Sequence, residues 1–268
     1  MTSRSLRCAL HVHSTYSDGE FTLGELRDVF VADGVDVVCM ADHAEYFDEG
    51  RVATYVRELD ACSDDRILFI PGLEFNCADR MHILGYGVTA LVESEDPQVV
   101  ITHVVKSGCV CVVAHPKDTH FERIEAFAVL PDGIETWNSK YDGRYAPRPA
   151  TFALLRRMQS RKPAMRAFYG LDLHWKKQFR LLTTRLTAAS RSREAILGAL
   201  REGAFVGEKG ELELSSSGTL DATIEERFAR THARSSAMKK TLKRAKEMTG
   251  WIGRNVPEPI KAQLRRLF

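Results

Sequence analysis

The sequence lacks the marks of several protein classes. No apolar run approaches the roughly 20 residues that a membrane-spanning helix needs. The opening stretch, Met1-Thr2-Ser3-Arg4-Ser5-Leu6-Arg7, has no apolar segment of the secretory kind, so a cytoplasmic location is expected. The six cysteines, Cys8, Cys39, Cys62, Cys77, Cys109 and Cys111, include no CxxC pair. Four of them (Cys8, Cys39, Cys109 and Cys111) fall in apolar, strand-like runs, where a free cysteine behaves as a small hydrophobe. A chain of 268 residues needs no disulfide staples, and reduced thiols are expected. No GxGxxG or GxxxxGK(S/T) loop follows a strand, which weakens any nucleotide-fold reading. There are no internal repeats.

What is present is ordinary in bulk and uneven in placement. At 44% hydrophobic and 28% charged residues the chain reads as globular, and its length suits one large domain or one domain with an appendage. The net charge of +2 hides an asymmetry. Residues 1–226 carry 26 Lys+Arg against 34 Asp+Glu, whereas residues 227–268 carry 12 against 2. An acidic body thus precedes a basic tail. The polar Ser215-Ser216-Ser217-Gly218 stretch marks the boundary, giving a body over 1–214 and an extension over 215–268.

In the body, short apolar runs alternate with amphipathic segments. Strands are predicted near 7–12, 35–40, 67–70, 81–86, 109–114, 133–137 and 164–169, and helices from Thr22 and near 51–62, 97–107, 148–160 and 192–202. Thr22 with Glu25 forms a capping box, and Asp33-Gly34 closes that helix. Repeated β-then-α units with continuously apolar strands imply a parallel sheet covered on both faces, as a barrel or a doubly wound sheet. The tail reads as helix over roughly 220–248.

The nine histidines carry the functional signal through position. One strand runs into His11-Val12-His13 and Ser17-Asp18-Gly19, another into Asp42-His43, and a third into Gly72-Leu73-Glu74. His82 lies in the next strand segment, His115-Pro116 follows the strand ending at Ala114, and Asp172 and His174 follow Gly170. Carboxyl ends of parallel strands share one rim, so these positions are expected to converge. A single histidine at a strand end is more often structural, but six strand ends bearing His or carboxylate point to one shared site. Mixed nitrogen and oxygen donors suit Zn, Mn or Fe better than Ca or Mg. Nine ligands exceed the needs of one ion, so two or three divalent ions are expected, with a carboxylate such as Glu74 bridging. Such a centre activates water and clamps a phosphoryl group. His103, His120 and His232 lie in helix or loop contexts and read as solvated or structural.

In their order these motifs resemble the PHP (polymerase and histidinol phosphatase) superfamily over roughly residues 6–206. The resemblance implies a distorted (β/α)7 TIM-like barrel, here with a basic helical C-terminal tail. It implies a phosphoric ester hydrolase working by metal-activated hydroxide at a di- or trinuclear site. It places one ion on His11, His13, Glu74 and Asp172, a second on Asp18, His43 and His174, and a third on His82 and His115 with Glu74 bridging. Asp42 is a candidate catalytic residue beside the ligands or, alternatively, a helix N-cap. Lys117, directly after His115-Pro116, is a candidate for catalysis and substrate binding; Asn138, Arg80 and Arg144 are further substrate-binding candidates. The expected substrate is a phosphorylated small molecule, nucleotides included. The basic tail raises the alternative of a nuclease or oligonucleotide phosphodiesterase, and it could otherwise pack on the acidic body or meet an anionic membrane surface. A non-catalytic metal-binding domain and amidohydrolase-type C–N hydrolysis are weaker readings. Oligomeric state is left open.

Overall fold

In the computed structural model, residues 3–142, 146–178 and 182–234 are described, together with 237, 238 and 241. In chain order the elements are β1 (Arg4–Val12), α1 (Leu23–Ala32), β2 (Val37–Met40), β3 (Asp42–His43), α2 (Glu49–Cys62), β4 (Leu68–Ile70), β5 (Gly72–Cys77) and β6 (Met81–Tyr86). There follow α3 (Pro97–Lys106), β7 (Val110–Ala114), α4 (Phe121–Glu125), β8 (Gly133–Asn138), α5 (Pro149–Gln159) and β9 (Arg166–Gly170). The described body ends with β10 (Thr183–Ala188), α6 (Arg193–Glu202), β11 (Phe205–Lys209) and β12 (Leu212–Ser215), and residues 222–234 form a further helix. The protein is a mixed α/β fold with two six-stranded sheets, ordered β12-β11-β10-β1-β2-β4 and β3-β5-β6-β7-β8-β9.

Local chemistry sets the helices. Thr22 and Glu25 close a capping box on α1, which buries Leu23, Leu26 and Phe30. Asp48 caps α2, Asp96 precedes Pro97 at the start of α3, and Ser192 caps α6, which ends on left-handed Gly203. Strands β2, β7 and β8 are buried along their whole length, as strands covered on both faces must be.

The all-parallel expectation is corrected. β1–β2, β2–β4, β3–β5, β7–β8 and β8–β9 pair parallel, but β5–β6, β6–β7 and β1–β10 pair antiparallel. Strands β3, β5, β10, β11 and β12 have no counterpart in the periodicity. Pro71-Gly72 at the start of β5 reads locally as a turn, and β10 opens with Thr183-Thr184-Arg185, so neither shows a continuous apolar run. The reversal at β6 matters for function. Running backwards, β6 brings its first residues, Met81 and His82, to the rim where the parallel strands end.

The backbone is bulged where the site begins. Pairing of β1 with β2 shifts register between Leu10 and Val12, and His11 adopts φ +62° there. His115 (φ +26°) and Asp172 (φ +51°) also take positive φ, a conformation that costs on the order of 1–2 kcal/mol outside glycine. The helix over 222–234 is capped by Asp221, whose Oδ1 accepts from the Ile224 amide at 2.8 Å. Its Phe228 is buried against Trp137, with ring centroids 6.3 Å apart. Arg144 and nearly all of the tail after Arg234, including the expected helix end at 248, lie outside the described residues. Among the described residues no helix is long and apolar enough to cross a membrane.

Gly72, the first residue of β5, lies close against the end of β2 and against β6. A Cβ there would meet the carbonyl oxygen of Met40 and lie 2.9 Å from that of Gly85. Replacing Gly72→Ala is therefore expected to lower stability by about 1–3 kcal/mol, read as a fall in the urea midpoint. An unchanged midpoint would contradict this close approach.

Candidate metal centre

Glu74 is the middle of the site. It is buried on β5, and its two carboxylate oxygens face different imidazoles. Oε1 lies 2.7 Å from His82 Nδ1 and 3.1 Å from His115 Nε2. Oε2 lies 3.2 Å from His11 Nε2, 3.3 Å from His13 Nε2 and 3.6 Å from His43 Nδ1. Asp172 stands opposite, with Oδ1 3.1 Å from His174 Nδ1 and Oδ2 3.7 Å from His115 Nε2. Asp18 Oδ1 approaches His174 Nε2 at 3.3 Å, His43 Nε2 at 3.7 Å and His13 Nδ1 at 3.8 Å. His13 and His174 have ring centroids only 3.9 Å apart.

The sequence-predicted rim thus draws together all nine candidate ligands. Four sets of donor atoms lie within 4.8 Å of one another: His13, Asp18, His43 and His174; His11, His115 and Asp172; His11, His13 and Glu74; and His43, Glu74 and His82. The route differs in one respect from simple strand alternation. His11 and His13 converge through the β1 bulge, which re-aims a side chain as bulges do beside active sites.

Charge balance in this buried space favours a cation. Burial is the largest influence on Glu74 and Asp172 and pushes both upward, yet the facing histidines hold each well below the usual carboxylate range. Half-buried Asp18 is likewise held low by His174, His43 and His13 against the opposing effect of burial. Burial depresses His11 and His174, but the adjacent carboxylates outweigh it, holding His11 well above its ordinary value and raising His174 to about 9. His13 goes the other way: burial drives it down to about 3, so it is neutral at pH 7. Both of its ring nitrogens, and Nδ1 of His43, are buried without a hydrogen-bond partner. Orphaned imidazole nitrogens beside carboxylates, those of neutral His13 among them, are what a divalent ion uses, so the residues fit the metals that the resemblance implies.

A supporting layer holds these donors. Glu135, buried on β8, lies with Oε1 2.7 Å from His11 Nδ1, while its Oε2 accepts from the His115 amide (3.0 Å) and from Asn138 Nδ2 (2.9 Å). Sequence reasoning missed Glu135, although a carboxylate inside the apolar run Gly133–Trp137 was the available signal. Gly170 makes room for it, since a Cβ there would drive into Glu135 Oε1. Asn138 Nδ2 also donates to Asp172 Oδ2 at 3.0 Å, and its Oδ1 accepts the amides of Lys140 and Tyr141. Asp42 accepts from the Ser14 amide (2.8 Å), Ser14 Oγ (2.8 Å) and Ser17 Oγ (2.7 Å), which pins the loop carrying Asp18. Asp42 caps no helix, because His43 precedes the short turn Ala44–Tyr46. Lys117 is exposed, and its amide donates to His120 Nδ1 at 3.3 Å; Arg80 is exposed with φ +58°. Among the described residues, Lys140, also missed, does reach the cluster, with Nζ 3.4 Å from Asp172 Oδ1 and 3.1 Å from His174 Nε2. Buried His120, read as structural, lies with Nε2 3.2 Å from the carbonyl of Asp79.

The model of the PHP domain matches residues 9–142, half of the chain. The chain belongs to the PHP domain family. Asp172 and His174 lie beyond the matched span and join the PHP-derived residues only in space. Two solved structures are similar. One is a two-domain protein from Bacteroides vulgatus ATCC 8482, described as containing a predicted PHP-like metal-dependent phosphoesterase; the TM-score is 0.61 at 18% identity, over 80% of this chain and 67% of that one. The other is PsfC from Pseudomonas syringae PB-5123, with a TM-score of 0.52 at 14% identity, over 89% of this chain and 99% of that one. At these identities the likeness speaks for the fold. No curated protein matches.

The layer behind a metal site orients its ligands, and removing one such partner typically weakens metal binding about 10–100-fold. Glu135→Gln is expected to do this to the PHP centre, measured by competition against a chelator with folding checked by circular dichroism. Undiminished affinity would show that Glu135 does not hold His11 for an ion.

Proposed function

We propose that this PHP protein is a metal-dependent phosphoesterase acting on a phosphomonoester of a small molecule. The observation that carries the reading is Glu74, whose two oxygens face separate imidazole groups, the arrangement expected of a carboxylate bridging two ions. We assign His11, His13, Glu74 and Asp172 to one ion, Asp18, His43 and His174 to a second, and His82 and His115 to a third. When bound, zinc, manganese or iron there lowers the pKa of water toward neutrality and neutralises charge on the phosphoryl oxygens.

The chain's own residues orient this chemistry. Glu135 fixes the rotation of His11, and Asn138 holds Asp172. Asp42 serves by fixing the Ser14–Ser17 loop, its oxygens being committed to that loop's donors. Lys117 stands on the turn after His115 as a second-line candidate for meeting phosphate. The reading includes a closed seven-stranded barrel over residues 1–214. It is supported by the nearly continuous runs of β2 into β3 and of β4 into β5, which pair parallel as β2–β4 in the first sheet and β3–β5 in the second. It is also supported by main-chain bonds from Leu171 to Leu10 (2.9 Å) and from His13 to Leu173 (3.1 Å) at the other seam.

Phosphate release from p-nitrophenyl phosphate is expected with Mn or Zn and is expected to cease on chelation. Asp172→Ala, which deletes a ligand, should cost more than the about 100-fold upper range of supporting-layer changes. No metal-dependent release from any member of a phosphate-ester panel would overturn the reading.

The basic charge of residues 227–268 favours a second reading, an oligonucleotide phosphodiesterase at the same centre. Truncation after residue 234, which keeps buried Phe228, should then depress oligonucleotide turnover far more than p-nitrophenyl phosphate turnover. Equal effects on both would remove this alternative.

A further inference from the structure

Exposed aromatic rings stand beside the histidines of the centre. Among the described residues the large exposed hydrophobic side chains are Tyr46, Val99, Tyr141, Trp175 and Met238. All three aromatic members stand against histidines of the centre. The Tyr141 ring is 4.5 Å from that of His115, Trp175 is 5.8 Å from His174, and Tyr46 is 6.5 Å from His43. Their exposures of 51%, 38% and 49% mean that core packing does not explain them. Exposed rings gathered at one opening cost solvation free energy and mark a place where something apolar docks.

Lys140 joins two of these rings to the centre. Its Nζ lies 5.4 Å from the Tyr141 ring centroid and 5.5 Å from that of Trp175, within cation–π range of both. The same Nζ lies 3.4 Å from Asp172 Oδ1. The ammonium therefore borders the ligand cluster and lies within reach of both planar rings. An ammonium binds phosphate oxygens by charge-assisted hydrogen bonds, and tyrosine and tryptophan faces stack on flat ring systems.

We propose that Lys140, Tyr141, Trp175 and Tyr46 form the substrate-selecting mouth and that it takes a phosphate ester whose alcohol portion carries a planar ring, a nucleoside phosphate. The proposal rests on the phosphoesterase reading. Lys140 anchors the anionic group beside the centre, and Tyr141 and Trp175 offer their faces to the base. A sugar or glycerol phosphate would use the lysine and leave the rings exposed.

Two readouts test it. In the full-length, metal-loaded protein, kcat/KM is measured for AMP and for glycerol 2-phosphate. Tyr141→Ala and Trp175→Ala are expected to lower the AMP-to-glycerol-phosphate ratio by about tenfold or more, the equivalent of one lost stacking contact, chiefly through KM. Trp175→Phe should restore most of the ratio, and Lys140→Met should raise KM for both substrates. Thermal unfolding verifies that each variant is folded. Independently of turnover, AMP should quench tryptophan fluorescence, ribose 5-phosphate should not, and the quench should vanish in Trp175→Phe. A ratio unmoved by the ring variants, or no AMP-specific quench at Trp175, overturns the proposal. If the wild-type protein hydrolyses no phosphate ester, the phosphoesterase reading is what fails, and the quench alone decides the ring site.

Discussion

A buried carboxylate cannot stay ionised unless its surroundings supply positive charge or donors, and Glu74 sits in the middle of the fold surrounded by five imidazoles. His11 and His13 arrive from the end of β1, and the other three imidazoles each from a different place. The two ends of one carboxylate therefore tie β1, β3, β6 and the turn after β7 to β5. Asp172 and Asp18 repeat the arrangement on the other side of His13 and His174. The cluster concentrates negative charge and unpartnered ring nitrogens in one largely buried place, which favours a divalent ion there.

Holding such a cluster requires rigid support, and the structure provides it at the expense of local strain. His11, His115 and Asp172 all adopt positive φ, which persists only where neighbours over-determine it. Glu135 is that neighbour for two of them, touching the His11 ring and the His115 amide, and Asn138 fixes Asp172. Gly170 is small because Glu135 occupies the space its side chain would need. Asp42 performs the same service for the loop that delivers Asp18. The aromatic mouth lies outside this framework, on loops, where specificity can change without disturbing the ligands.

Much of the candidate site was legible in sequence because its signal is chemical. Histidines and carboxylates at successive strand ends have few structural uses in common, and the ordered motifs from His11 to His174 resemble one family. Helix ends were equally legible, since Thr22 with Glu25 acts locally. Glu135 and Lys140 were harder: the first is a lone charge in an apolar strand, and the second sits in a loop with no pattern. Neither reveals its partners at sequence distances of 124 and 34 residues.

The amino-acid order by itself determined the inventory of donors, the strand ends at His11-Val12-His13 and His115, the capped helices, and the division of charge between an acidic body and a basic tail. These rest on residue chemistry and on interactions within a few positions. Only the tertiary structure decided that β6 runs antiparallel and so presents His82 from its first turn of chain. It alone decided that a bulge aims His11, that Asp42 and Asn138 are committed to holding other groups, and that Lys140 lies near two rings. Those outcomes depend on strand direction, register and long-range contact, which no local pattern encodes.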